Sequence, residues 1–432
     1  MQCNVAGVLG GTLLVLTLLT IFASPVVATI FAPGFLRDPA KLALTGDLIK
    51  ITFPYLLLIS LTGFAGAILN TYHRFAVPAL TPVLLNLSLI AAALWLTPAF
   101  EEPAFALALG VLIAGFAQLL FQVPALAGID LVPRPRWAPQ HDGVKRILVL
   151  MVPALFGVSV SQINLLLDTV LASLLPTGSV SWLYYSDRLT ELPLGVFAIA
   201  IATVILPTLS GQRARADDPA FSETLSWAIR SVLLIAIPAT VALAFLAEPL
   251  LVTLFQYGAF EAQDRVMAAV SLQAYSLGLG AFMLVKVLAP GFYAREDMRT
   301  PVRIGIIAMA VNMVLNVAFV FPLMWWLNLG HVGLALATSV SAWLNALLLF
   351  KGLRRDAVLP RGSLPVKWLV QVGAATAAMV SVLLLLMPDH AMWAEWLWWQ
   401  RALELGILCS AGLGVFGVSL LCCGVRLADL RR

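Results

Sequence analysis

Long apolar segments follow one another along almost the whole of this chain. Each contains about 20 residues or more, which as a helix is long enough to cross roughly 30 Å of hydrocarbon. Backbone amides in lipid need internal partners, and a helix supplies them within one segment. We therefore predict an all-α polytopic membrane protein with about twelve transmembrane helices. The segments lie at about residues 6–31, 47–71, 78–98, 104–127, 147–175, 180–209, 224–250, 266–291, 302–325, 330–353, 366–387 and 400–424.

The basic residues predict the orientation, because cytoplasmic connections of membrane proteins are enriched in Lys and Arg. With the N-terminus inside, the even-numbered connections and the C-terminal tail carry 18 of them, and the opposite loops carry four. Both termini are therefore predicted to be cytoplasmic. Since the chain is 61% hydrophobic and 11% charged, its net charge of +4 reflects this bias and not a nucleic-acid-binding surface. The predicted cytoplasmic residues are Arg74, Arg134, Arg136, Lys145, Arg146, Arg213, Arg215, Arg295, Arg299, Arg303, Lys351, Arg354, Arg355, Arg361, Lys367, Arg426, Arg431 and Arg432, and the outer ones are Arg37, Lys41, Arg265 and Arg401.

Two parts of the chain resemble each other at an offset of about 220 residues. VVATIFAPGF at 26–35 is similar to LLVTLFQYGAF at 250–260, and NTYHRFAVP at 70–78 is similar to GFYAREDMRTP at 291–301. Two repeated lobes with a substrate path between them are a common transporter architecture. Chance similarity between apolar segments is the alternative.

The repeat also predicts how the chain is organised. Two segments of the second lobe have no first-lobe partner, so we expect either a four-helix first lobe or a sequence that begins two helices into a longer protein, and we favour the latter. The predicted regions are an incomplete N-terminal lobe at 1–127, a Pro-rich basic cytoplasmic linker at 128–146, a six-helix lobe at 147–353, and two further helices with the tail at 354–432.

Three charged residues interrupt the sixth apolar segment, in SVSWLYYSDRLTELPLGV. Arg188 and Glu191 are three positions apart and share a helical face, with Asp187 beside them. An ionisable group in a membrane span costs free energy and by default indicates function. A guanidinium suits a phosphate, and a carboxylate can hold it in place. The alternatives are a salt bridge that only neutralises the site, or a pair shallow enough to reach the interface.

A second group of polar residues lies in other spans. Asp168 precedes Asn312 and Asn316, which are four residues apart on one helical face, and Thr338 follows. One carboxylate, two amides and a hydroxyl offer the oxygen ligands of a cation site, but we favour the alternative that they form hydrogen bonds between packed helices. We expect Lys286, near the end of its span, to extend toward the interface.

The chain contains no HExxH, GxSxG or P-loop motif, and its four histidines and four cysteines have no metal-ligand spacing. Neither an enzyme nor a metal site is therefore predicted, and no cofactor is expected.

Four stretches carry a resemblance to a known family. ITFPYLLLISLTGFAGAILNTYHRFAVPALTPVLLN, GVSVSQIN, TGSVSWLYYSDRLTELPLGV and VKVLAPGFYAREDMRTPV closely resemble the MurJ (MviN) family of lipid II flippases, in the multidrug/oligosaccharidyl-lipid/polysaccharide exporter superfamily. The resemblance implies fourteen helices in the full family: two pseudo-symmetric six-helix lobes around a cavity, and two C-terminal helices beside a groove for the lipid tail. The family's first two helices have no counterpart here, in agreement with the repeat.

The resemblance also implies a function and a set of site residues. Arg188 and Glu191, with Asp187 beside them, would engage the head group of lipid II, an undecaprenyl-pyrophosphate-linked disaccharide peptide, during alternating access. Asp168, Asn312, Asn316 and Thr338 match positions implicated in cation binding in some members, so a monovalent cation or the membrane potential is the implied drive.

The implied location is the bacterial cytoplasmic (inner) membrane, with membrane lipids and cell-wall synthesis proteins as further partners. The alternatives are an exporter of another polyprenyl-linked glycan and an inactive membrane scaffold.

Overall fold

The computed structural model describes residues 2–360 and 362–425, and within them every side chain except those of residues 150, 152–161, 390, 391 and 394. Four arginines predicted to be cytoplasmic, Arg361, Arg426, Arg431 and Arg432, lie outside the described residues. The regular secondary structure of the described chain is helical, with no strand, which confirms the predicted all-α class. The chain forms two compact units, residues 1–159 and 160–432.

The first unit is a set of helices joined by short connections. They are α1 (Gln2–Phe22), α2 (Ser24–Phe31), α3 (Pro39–Thr52), α4 (Pro54–Thr71), α5 (Ala76–Ala91) and α6 (Pro103–Ala127), and α7 (Asp142–Ser173) continues into the second unit. Short 3-10 turns lie at Pro33–Arg37 and Thr97–Ala99, and a π turn at Ala92–Leu96 extends α5.

Buried amides tie α6 to its neighbours in the first unit. The side chain of Gln118 donates to the carbonyl of Thr81 at 3.1 Å and accepts from the hydroxyl of Tyr55 at 3.1 Å, and Gln122 donates to the hydroxyl of Thr81 at 3.0 Å. Polar groups between membrane helices are stable when they bond across the interface in this way. These bonds fix α6 against α4 and α5.

The second unit contains the longer helices. They are α8 (Ser179–Pro193), α9 (Ile199–Ala214), α10 (Asp218–Phe245), α11 (Ala247–Phe255), α12 (Ala262–Tyr293), α13 (Arg299–Leu327), α14 (Gly330–Arg355), α15 (Val366–Leu386), α16 (His390–Glu395) and α17 (Trp398–Cys422). A π turn at Leu194–Ala198 joins α8 to α9 without a break, directly after Pro193, whose ring nitrogen cannot donate a helical hydrogen bond.

Helix α12 lies at the centre of the second unit, where it packs against α8, α9, α10, α11 and α14. Its buried residues Leu279 and Leu288 belong to a core that also contains Leu225 of α10 and Leu349 of α14. Helices α13 and α14 approach closely at Gly333, where a β-carbon would lie 2.8 Å from the backbone nitrogen of Val320. Helices α15 and α17 pack on each other and on α10 and α11.

Eleven of the described helical segments are long and apolar enough to cross a membrane, so the chain is a multi-pass membrane protein. They coincide with eleven of the twelve predicted segments. The remaining segment, 147–175, lies in α7, much of whose middle belongs to the side chains that are not described. Several predicted ends were wrong, because the span predicted at 47–71 begins at Pro39 and the span at 6–31 consists of α1 followed by α2.

Candidate functional site

A cavity of about 480 Å³, here called the head-group cavity, lies among α7, α8, α12 and α14 of the second unit. Members of both groups that the sequence predicted line it: Asp187 and Arg188 from α8, and Asp168 and Thr338 from α7 and α14. The other predicted site residues, Glu191, Asn312 and Asn316, are not among its lining residues. Tyr275 of α12 completes the polar wall. The fold thus brings members of the two groups into one cavity, which their positions in the sequence did not indicate.

Arg188 lies in the head-group cavity next to two other groups of α8. Its Nη1 donates to Oε2 of Glu191 at 2.6 Å, and its guanidinium lies 4.9 Å from the centre of the Tyr184 ring. Both members of the ion pair remain about half exposed, at 52% and 50% of their side-chain surface. A guanidinium has five N–H donors, so a single bond to Glu191 leaves donors for an anion.

Asp168 is the centre of a hydrogen-bonded network that connects three helices. Its Oδ1 accepts from Nδ2 of Asn316 at 2.7 Å and its Oδ2 from Nδ2 of Asn164 at 3.3 Å. Asn316 also donates to Oδ1 of Asn312 at 3.1 Å. Asn312 in turn donates to the hydroxyl of Ser341 at 3.3 Å and lies 3.5 Å from that of Thr338. The network therefore runs from α7 through α13 to α14, as the hydrogen-bonding alternative predicts.

Asn164 and Ser341 belong to this network but were not among the predicted site residues. Asn164 precedes Asp168 by four residues and Ser341 follows Thr338 by three, spacings that place each pair on one helical face. The signal was therefore present in the sequence, but it becomes specific only when the partner helix is known.

The oxygen atoms around Asp168 also form a set of ligands that fits a small cation. Oδ1 of Asn164 and Oδ1 of Asn316 are buried without a hydrogen-bond partner, and each lies on an amide whose nitrogen donates to Asp168. Rotation of either amide would turn its oxygen toward the carboxylate, and hard cations bind oxygen ligands. Among the described residues, no group of three or more His, Cys, Asp or Glu side chains could hold a metal ion. With one carboxylate, the set suits a monovalent cation.

An apolar groove of about 390 Å³ lies in the same unit, among α10, α15 and α17. Leu234, Met379, Leu383 and Phe416 are among the residues that line it, together with Phe197 from the π turn after α8. Because its walls are almost wholly hydrocarbon, the groove suits an alkyl or polyprenyl chain.

The family model described as lipid II flippase MurJ matches residues 2–401. The probable lipid II flippase MurJ of Vibrio cholerae serotype O1 is 47% identical, over 99% of this chain and 81% of that relative. That of Haemophilus influenzae is 44% identical over 98% of this chain and 84% of the relative.

Solved structures show the same fold. A structure described as lipid II flippase MurJ in an inward closed conformation matches with a TM-score of 0.79 at 24% identity, covering 97% of this chain and 83% of that one. An inward-facing multidrug transporter of the MATE family matches with a TM-score of 0.67 at 16% identity, covering 82% and 81%. On the family model and the identity to these relatives, the chain belongs to the MurJ family of lipid II flippases.

Proposed function

We propose that this protein moves lipid II from the cytoplasmic to the periplasmic leaflet of the bacterial cytoplasmic membrane for peptidoglycan synthesis. It acts as a transporter and not as an enzyme. Besides the family, the observation that carries this proposal is the position of Arg188, a half-exposed guanidinium in a polar cavity among helices of the second unit. A charge is expensive in a membrane span, and a negatively charged ligand that crosses the membrane compensates that cost.

Arg188 serves as a ligand of the pyrophosphate in the head group. Phosphate oxygens accept charge-assisted hydrogen bonds from a guanidinium in a planar, paired geometry. Glu191 orients the side chain from one side and Tyr184 from the other, so less rotational freedom is lost when the anion binds. Asp187, in the same wall, supplies a carboxylate that can accept hydrogen bonds from the sugar or the peptide.

The polyprenyl tail occupies the apolar groove during transport. The head group crosses the membrane in a hydrated polar cavity, and the tail stays in hydrocarbon. The charged head group therefore avoids hydrocarbon, and the apolar tail avoids water. In this division the head-group cavity lies within the predicted lobe at 147–353, and the helices in 354–432 form a wall of the groove. Both termini are cytoplasmic in this proposal, which leaves cytoplasmic loops accessible to cell-wall synthesis proteins.

The Asp168 network couples transport to a monovalent cation. Asp168, Asn316, Asn312 and Thr338 provide the oxygens, and Asn164 adds the unpaired amide oxygen described above. The membrane potential assists a cation that moves inward, because a unit charge gains about 2.3 kcal/mol per 100 mV. Replacement of Asp168 by Asn should abolish any dependence of transport on sodium and leave the hydrogen-bonded shape of the site largely intact.

Transport by the full chain in liposomes tests the proposal. Fluorescent lipid II enters during reconstitution, and a membrane-impermeant quencher reports the fraction that reaches the outer leaflet with time. The wild-type protein should exchange lipid II between leaflets, and Arg188→Glu should not. Arg215→Glu is the matched control, because Arg215 is exposed at the end of α9 and lines neither the head-group cavity nor the apolar groove.

Two results would overturn the proposal. If the wild-type chain leaves lipid II in its original leaflet but moves another polyprenyl-linked glycan, the substrate is wrong. If it moves neither, the scaffold alternative replaces the transporter.

A further inference from the structure

A second polar cavity, of about 400 Å³, lies in the 160–432 unit beside the head-group cavity and is here called the lysine cavity. Helices α7, α8, α12, α13 and α14 or their extensions all contribute to it. Asn164 and Thr338 line both cavities, so the two share a wall built from the Asp168 network. The polar residues of the lysine cavity are Lys286, Asn164, Asn312, Thr338, Ser341 and Asn345.

Lys286 is the charged residue in this cavity, and no Asp or Glu is among the residues that line it. No salt bridge of the described residues includes Lys286. It lies on α12 seven residues before Tyr293, or roughly 10 Å along the axis at 1.5 Å per residue. An ammonium at that depth without an acidic partner carries a free-energy cost that an anionic ligand would remove.

The sequence alone predicted that Lys286 extends toward the interface. Its position argues for a different role, because the side chain is exposed in a concave wall with Ser341 and Asn345, and not beside lipid-facing residues alone. The Nδ2 of Asn345 can donate a hydrogen bond to the same anion that the ammonium attracts, whereas the hydroxyl of Ser341 in the same wall already donates to the carbonyl of Thr338 at 3.0 Å.

We propose that the lysine cavity is a second anion-binding subsite, in which Lys286 binds one anionic group of the lipid-linked glycopeptide while Arg188 binds another. This inference rests on the proposed function and adds a residue to it. The chemistry required of the ligand is a phosphate or carboxylate oxygen. Lipid II carries both, in its pyrophosphate and in its peptide, and the adjacency of the two cavities allows one head group to reach both cations.

The first experiment measures how ligands protect Lys286 from chemical modification. The purified chain reacts with an amine-acylating reagent, and mass spectrometry gives the rate of modification at each lysine. The ligands are inorganic pyrophosphate, a soluble muramyl pentapeptide and lipid II, each at equal ionic strength, with chloride as the reference. Lys351, exposed near the end of α14 and outside the cavity, is the internal control.

At least one of the two soluble anions should slow the modification of Lys286 threefold or more, without an effect on Lys351. Protection by pyrophosphate identifies the phosphate as the ligand, and protection by the peptide identifies the carboxylate. If neither soluble anion nor lipid II protects Lys286, the subsite does not exist.

The second experiment measures the affinity for lipid II. Lys286→Gln should weaken binding about tenfold, the scale of one lost charge-assisted hydrogen bond. Lys286→Arg should stay within about threefold of wild type, and Lys351→Gln should bind normally. Equal affinity of Lys286→Gln and wild type would overturn the proposal. If the wild type binds no lipid II but pyrophosphate or the peptide still protects Lys286, the proposed function fails and the anion subsite stands.

Discussion

Arg401 should hold the C-terminal helices against the rest of the second unit. It lies in the first turn of α17 and is only 8% exposed. Its Nη1 donates to the carbonyl of Val252 at 3.2 Å and to that of Gln256 at 3.3 Å, and its Nε donates to the carbonyl of Trp396 at 2.9 Å. Val252 and Gln256 are near the end of α11, where the last carbonyls of a helix lack intrahelical partners and the dipole favours a cation.

The expected loss of stability in Arg401→Ala follows from the hydrogen bonds that Arg401 donates. Arg401→Ala removes three of them, at about 1 kcal/mol each in net terms. Loss of a cation at a helix C-terminus adds roughly 0.5 kcal/mol. The sum is about 3.5 kcal/mol, and for a unit of this size each kcal/mol lowers the melting temperature by about 2–4 °C. We therefore expect the melting temperature of Arg401→Ala to be roughly 10 °C below that of the wild type.

Thermal unfolding of the purified protein in detergent micelles measures this shift. Arg401→Lys keeps the charge but has a shorter reach and no fork of donors, so its melting temperature should lie between the two. Arg355→Ala, which changes an exposed arginine in the last turn of α14, is the control for loss of a surface charge. A melting temperature of Arg401→Ala within about 2 °C of wild type would refute the assigned role, since three hydrogen bonds cannot then contribute as estimated.

Three smaller predictions concern single contacts. Gly333→Leu should lower the melting temperature by several degrees, because the backbone of α13 already fills the space of a β-carbon; an unchanged value would contradict that close approach. Hydrogen bonds from Thr300 hold the pKa of Asp297 below its usual range, so the stabilisation that they provide is present at neutral pH and is lost as the pH falls through that lowered pKa. Thr300→Val should raise the pKa of Asp297 and reduce the fall in melting temperature at acid pH. An unchanged dependence of the melting temperature on pH would argue against the side-chain hydrogen bond. Trp182→Phe removes the 2.7 Å hydrogen bond from the indole to Asp264 and should lower the free energy of unfolding by about 1 kcal/mol. If Trp182→Tyr, which also lacks the indole, is as stable as the wild type, this hydrogen bond does not contribute to stability.

Hydropathy predicted the membrane spans well but not where the helices begin. Helix α3 starts at Pro39, and Asp38 before it accepts a hydrogen bond from the backbone nitrogen of Lys41 at 3.2 Å. This cap and the proline in the first turn fix the helix end. The prediction based on apolar length begins later, at residue 47 and after the charged residue Lys41, because it responds to transfer free energy and not to capping.

Within one helix, spacing predicted the contacts of the polar residues correctly. Arg188 and Glu191 form the ion pair that their separation of three indicates. The same reasoning could not place Asp168 in the cavity of Arg188, since that proximity depends on the arrangement of α7 and α8 around one cavity. The count of basic residues in the connections assigned Arg401 to an outer loop, which was wrong: the residue is in α17 and its guanidinium donates hydrogen bonds to backbone carbonyls. The periodicity of one helix does not predict which residues of another helix it contacts.

One helical segment contributes to the head-group cavity, the lysine cavity and the apolar groove. Arg188 lies in the head-group cavity, Leu194 in the lysine cavity and Phe197 in the apolar groove. Arg188 and Phe197 are nine residues apart on one continuous helical segment. A movement that displaces Arg188 as a rigid body therefore also displaces a wall of the groove. The π turn at Leu194–Ala198 lies between them, and a return of that turn to α geometry would rotate one side chain relative to the other without breaking the helix. The positions of head group and tail are thus linked through the backbone of this segment, and the π turn is where that link can change.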